Sequence, residues 1–270
     1  MRNSDAAGIE DVAMSFEMAM LMNWLLVAAG LLASDTFSGL FDDLFKSDDA
    51  SDAVPEEEVI EPLGDNLGLG DGDDTYLGTD QGDFVLGQAG EDVIDGAAGD
   101  DTLEGNIGDD TLMGGAGADI LSGGGDSDSI SGGDGNDVLS SDRVDSDADW
   151  TRGDVERLDG GAGDDKLFFS SEDIATGGAG ADTFGMIETD EGAARITDFD
   201  AAEDDVTIYV DGLAEAETPP ILSYTTDEEA DTTTVSLDGE ASLVFDGVFT
   251  PEELNVSLAD PDDIDFTGVA

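Results

Sequence analysis

The chain contains no cysteine and no histidine, and these two absences exclude the catalytic sites built on an imidazole or a thiol. Without His there is neither an H-E-x-x-H zinc site nor a Ser-His-Asp triad, and without Cys there is no thiol nucleophile and no disulfide. No G-x-S-x-G elbow occurs. Positive charge is almost missing too: 7 Lys and Arg stand against 69 Asp and Glu, a net charge of −62 over 270 residues. Such a field repels nucleic acid, and it keeps anionic membrane surfaces away from all but an apolar segment. Aromatic residues make up 6%. An acidic chain this poor in aromatics stays disordered by default unless something neutralises it.

What the chain does have is glycine and aspartate in strict register. From Leu69 to Ser140 a nine-residue pattern is read eight times, with aspartate at Asp74, Asp83, Asp92, Asp101, Asp110, Asp119, Asp128 and Asp137. Two places after each stands an apolar residue: Tyr76, Val85, Ile94, Leu103, Leu112, Leu121, Ile130 and Leu139. Glycine opens seven of the eight units and fills six of the eight fourth places. Each unit therefore reads as a glycine loop, a carboxylate and a short strand. Glycine accepts the positive φ of a tight curl, which turns loop carbonyls inward. The strand that follows alternates, so its single apolar side chain faces one way. One inward side chain per strand cannot make a core, so units must stack as in a solenoid.

Stacking sets the aspartates roughly 4.7–4.9 Å apart, the spacing of neighbouring strands, and like charges at that distance call for a cation. Calcium suits the donors: it takes six to eight oxygens, carboxylate and carbonyl alike, whereas magnesium demands a rigid octahedron. Zinc and copper would want His or Cys.

The units resemble the RTX nonapeptide G-G-x-G-x-D-x-U-x of secreted calcium-binding β-roll proteins. Gly114-Gly115-Ala116-Gly117-Ala118-Asp119-Ile120-Leu121-Ser122 and the unit from Gly132 to Ser140 match every fixed place. The resemblance implies an all-β, right-handed parallel β-roll with two nonapeptides per turn, stapled by several Ca2+ ions between loops two units apart. Asp74 would then stack on Asp92 and Asp83 on Asp101. Gln81 and Asp126 replace the fourth glycine, and Thr79, Gln88, Ala97 and Asn106 the second. Loops with Gln81 or Asp126 are expected to bind weakly.

The pattern breaks over residues 141–158, which hold Arg143, Arg152, Arg157 and Trp150, and resumes in units that supply Asp165 and Asp182. The break reads as an insertion into a continuous roll of 69–185. Residues 186–270 alternate at Ile196 to Phe199, Val206 to Val210, Val235 to Leu237 and Leu243 to Phe245, and read as antiparallel strands of a C-terminal β-rich cap. Thr250-Pro251-Glu252-Glu253 has the form of a capping box with proline at the first helical place. The tail is similar to the uncleaved C-terminal export signals of RTX proteins sent out by type I secretion. At the other end, residues 1–34 contain an apolar run expected to form a helix, and three readings fit it: signal, membrane anchor, or helix packed on the protein. Residues 35–68 read as an acidic linker with a short amphipathic helix at Phe37, Leu40, Phe41, Leu44 and Phe45.

These features together set an expectation of an extracellular or cell-surface calcium-binding protein whose folding is coupled to the cation. The expected side-chain ligands are Asp74, Asp83, Asp92, Asp101, Asp110, Asp119, Asp128, Asp137, Asp165 and Asp182. An alternative makes the roll the scaffold of an adhesin or polysaccharide-binding module that recognises its partner at 141–158 or along an outer strand face. Enzymatic activity is not expected: the 68 residues before Leu69 are too acidic and too poor in apolar residues for a catalytic domain.

Overall fold

In a computed structural model, the residues described are 59–60, 67–141, 155–189, 192–213, 218–261 and 264. The apolar N-terminal segment, the short amphipathic helix, the tail beyond 264, and Arg143, Trp150 and Arg152 lie outside them.

The described chain is a two-layer parallel roll. From Thr75 to Ser140 each strand holds one inward apolar place, and successive strands up to Asp205–Tyr209 alternate between an 11-stranded and a nine-stranded sheet. Strands 18 residues apart therefore pair in parallel. One column of paired residues runs Tyr76, Ile94, Leu112, Ile130, Leu158, Ala175, Ile196 and Phe245 in the first sheet. The other runs Leu67, Val85, Leu103, Leu121, Leu139, Leu167, Phe184 and Val206 in the second. These two columns point at each other and form one buried cluster, the core of the roll. Phe184, Phe199, Phe245 and Phe249 extend that core toward the C-terminal end, with Phe199 and Phe245 at 5.2 Å in an edge-to-face arrangement.

Two boundaries differ from the sequence reading. The interruption is narrower than 141–158: Ser141 donates its N–H to Phe168 O at 2.9 Å, and the strand Arg157–Ala162 pairs on both sides in the first sheet. The parallel roll also continues beyond 185. Ala194–Ile196 and Asp205–Tyr209, expected to be antiparallel, both pair in parallel with the preceding strand of their sheet. Side-chain carboxylates there do the work of the missing glycine loops, since Asp198 accepts from Gly177 and Gly178 N–H and Asp204 from Asp182 N–H. Among the described residues, antiparallel pairing is confined to Leu222–Asp227, Thr232–Leu237 and Glu240–Asp246. The expected capping box forms: helix α1 (Pro251–Leu254) starts on Thr250, whose hydroxyl accepts from Glu253 N–H while Glu253 accepts from Thr250 N–H.

Because Leu121 is fully buried at the middle of its column while Ile107 is 63% exposed, the two should respond differently to truncation. Leu121→Ala is expected to cost about 2–5 kcal/mol. Ile107→Ser should stay within about 0.5 kcal/mol. Equilibrium denaturation of both variants under one fixed ionic condition checks this, and equal losses would contradict the assigned faces.

Candidate metal centre

The loops that join the sheets form two columns, one on each edge of the roll. The first leads from the nine-stranded to the 11-stranded sheet and carries Asp74, Asp92, Asp110, Asp128, Glu156 and Asp173 at the residue before the strand. The second returns and carries Asp83, Asp101, Asp119, Asp137, Asp165, Asp182 and Asp204. Within each column the carboxylates are tied rung to rung. Asp92 Oδ1 accepts the N–H of Asp74, Asp110 that of Asp92 and Asp128 that of Asp110, each at 2.8 Å. The second column repeats this from Asp83 to Asp204 at 2.7–3.0 Å.

All ten aspartates expected as ligands thus take the same place on one edge or the other, and those from Asp83 onward are buried. Glu156, Asp173 and Asp204 occupy that place as well and were not anticipated. Glu156 and Asp173 could have been found from their position two residues before a buried apolar residue and four before a Gly-Gly pair. Asp204 offers only the first half of that signal, two residues before Val206. A second, more exposed ladder was also missed: Asp73, Asp100, Asp109, Asn136 and Asp164 each accept the N–H one rung on.

The second carboxylate oxygen is the informative atom. In Asp92, Asp101, Asp110, Asp119, Asp128, Asp137 and Asp165, Oδ2 is buried and has no hydrogen-bond partner. Leaving an ionised oxygen in that condition is costly. It lies against the opening glycine of its own unit, so a Cβ on Gly87, Gly105 or Gly114 would overlap it. The loop around it requires positive φ at the second and fourth places, and even Gln88 (83°), Ala97 (71°), Asn106 (82°) and Asp126 (74°) adopt it. At Gly117 both demands meet: φ is 147°, and a side chain would overlap Gly99 O of the preceding rung.

Burial, opposed by the backbone hydrogen bonds and reinforced by neighbouring carboxylates, pushes these groups upward. Asp101, Asp110 and Asp119 reach about 6, Asp165 about 7 and Asp128 about 8. Glu156 is also driven upward, by burial first and then by its hydrogen bond with Asp173. Nowhere among the described residues do three or more acidic side chains gather on one point. A cation here would have to combine single carboxylate oxygens with backbone carbonyls. The loops supply both, because the fourth-place carbonyls of Gly99, Gly117 and Gly135 stack along the edge rung upon rung. A hard, oxygen-seeking ion of adaptable coordination fits this donor set.

These shifts fix the sign of a pH effect. A carboxylate raised in the folded state contributes stability that is fully present below its unfolded value near ~3.9, and that is lost as pH rises through the folded values of about 6 to 8. With chelator present, lowering the pH from 8 to 5 should therefore raise the folded fraction, read as β-signal in far-UV circular dichroism. A β-signal that falls over this range would show that the carboxylates are not buried together as described.

A family model for the RTX calcium-binding nonapeptide repeat, in four copies, matches residues 69–103 and 104–139. Among curated proteins none matches. Of solved structures, the extracellular lipase LipA from Serratia marcescens is similar at 17% identity and a TM-score of 0.24, over 69% of this chain and 40% of the lipase. The AlgE6R3 subunit of the Azotobacter vinelandii mannuronan C5-epimerase is similar at 19% identity and a TM-score of 0.20, over 73% of this chain and 83% of that subunit. The chain thus spans about two fifths of the lipase's length. The stacked glycine loops of residues 69–139 are RTX calcium-binding nonapeptide repeats.

Proposed function

We propose that the chain is an extracellular calcium-binding β-roll whose folding is driven by the cation, and that it is not itself an enzyme. The observation that carries this reading is the set of seven buried Oδ2 atoms without partners, one per loop, along both edges of the roll. Each such oxygen would give Ca2+ an anionic ligand, and the stacked loop carbonyls would complete the sphere. Without a cation the same atoms make the fold unfavourable at neutral pH, so binding energy becomes folding energy. A location outside the cell suits such sites, because extracellular calcium modules bind at about 10⁻⁴ to 10⁻³ M. The absence of His and Cys throughout the sequence supports the non-catalytic role.

Far-UV circular dichroism of the full chain, titrated with calcium beside magnesium at equal ionic strength, tests the proposal. The expected outcome is a cooperative gain of β-signal with calcium near ~10⁻³ M or below and none with magnesium. An equal response to both ions would reduce the effect to charge screening. A chain already folded in chelator at pH 8 would overturn the coupling.

A further inference from the structure

The loops do not all leave their carboxylate unsatisfied, and the exceptions sit at the ends of the columns. In the second column, the loop of Asp83 begins the series. There Thr79 donates both its N–H, at 2.8 Å, and its hydroxyl, at 3.2 Å, to Asp83 Oδ2. At the far end of the first column, Ser170 does the same for Asp173 Oδ2, with its N–H at 2.7 Å and its hydroxyl at 3.2 Å. At the far end of the second column, Asp200 N–H donates to Asp204 Oδ2 at 2.8 Å, and both oxygens of Asp198 accept the N–H groups of Gly177 and Gly178. Three of the four column ends are closed by the chain's own groups.

Backbone geometry separates the Asp83 loop independently of the hydrogen bonds. Neither Thr79 nor Gln81 takes the positive φ found at the second and fourth places of the following repeats. A β-branched residue such as threonine resists that region strongly. The loop instead closes on itself, with Gln81 N–H donating to Thr79 Oγ1 at 3.1 Å. Gln81 and Asp126, which both replace the fourth glycine, therefore differ: Asp126 adopts φ 74° and leaves Asp128 Oδ2 unpartnered, whereas the Gln81 loop does neither.

Resting on the calcium reading above, we infer that Thr79, Ser170 and Asp200 act as built-in substitutes for a cation, so that Asp83, Asp173 and Asp204 are not ligands. The cation-binding stretch is then bounded within each column. It covers Asp92 to Asp128 on the first edge and begins at Asp101 on the second. The number of ions is set by where glycine loops give way to loops that donate to their own carboxylate.

Bound calcium per full-length chain, measured by equilibrium dialysis and elemental analysis at saturating calcium, tests this. Asp83→Asn and Asp173→Asn should hold the parent's number of ions, while Asp119→Asn and Asp137→Asn should each hold at least one fewer. The double variant Thr79→Gly, Gln81→Gly should gain an ion, because it restores the glycine curl and removes the competing donor. That gain decides the matter even where Asp83→Asn fails to fold. Calcium loss from Asp83→Asn equal to that from Asp119→Asn, or no gain in the double variant, would overturn the inference while leaving the calcium reading intact. A parent chain that binds no calcium at about 10 mM, above the range of extracellular modules, would overturn both.

Discussion

The hydrogen bond from one aspartate's N–H to the next aspartate's Oδ1 holds two like charges at the spacing of parallel strands and does so once per rung. It has the same register as the sheet ladders, because it joins residues 18 apart in one column and then the next. It also removes the carboxylates from water, since Asp101, Asp119 and Asp137 are at most 1% exposed. Burial of this kind is tolerated only when the charge is neutralised by a proton or balanced by a cation. On the proposed function, the stack makes the fold conditional on its ionic surroundings.

Much of the glycine content follows from the same constraint. The opening glycine leaves room for the buried Oδ2, and the fourth-place glycine leaves room for the carbonyl of the rung before. A side chain at either place would push the rungs apart and lengthen the hydrogen bonds that define the column. At the second place Gln88, Ala97 and Asn106 take the positive φ that the loop requires, whereas a Cβ on Gly115, Gly124 or Gly133 would overlap the carbonyl of the preceding rung. Where that φ is not adopted, at Thr79, the loop changes its hydrogen bonding instead.

The sequence made the roll legible because its period is strict: a nine-residue unit with one apolar place fixes the two sheets, the 18-residue pairing and the edge on which each aspartate stands. It was less informative wherever the period failed. Glu156 was hidden by the interruption at 141–158, and Asp173 by a loop, Ser170 to Asp173, that has no glycine at all. The strands after Met186 read as antiparallel because alternation alone carries no direction. Direction is supplied by Asp198 and Asp204, two carboxylates among 69, whose role shows only when their partners Gly177, Gly178 and Asp182 are in view. The capping box at Thr250 was readable because every group in it is local in sequence.

The two ends of the described chain also differ in what holds them. Between Leu67 and Ser140 each rung brings one inward apolar side chain per sheet, a thin core set against a growing column of charge. From Phe184 onward the balance reverses. Phe199, Phe245 and Phe249 pack edge to face with Phe184 tilted against Phe199, the antiparallel strands extend the end of the first sheet, and Asp198 and Asp204 accept backbone N–H groups. Local and apolar contacts of that kind do not depend on a cation. The C-terminal part presents a parallel edge whose register, through Asp204 to Asp182 and Asp182 to Asp165, is that of the repeats. A solenoid that cannot nucleate on a thin, charged core can propagate from such an edge, each added rung completing the carboxylate ladder of the one before it.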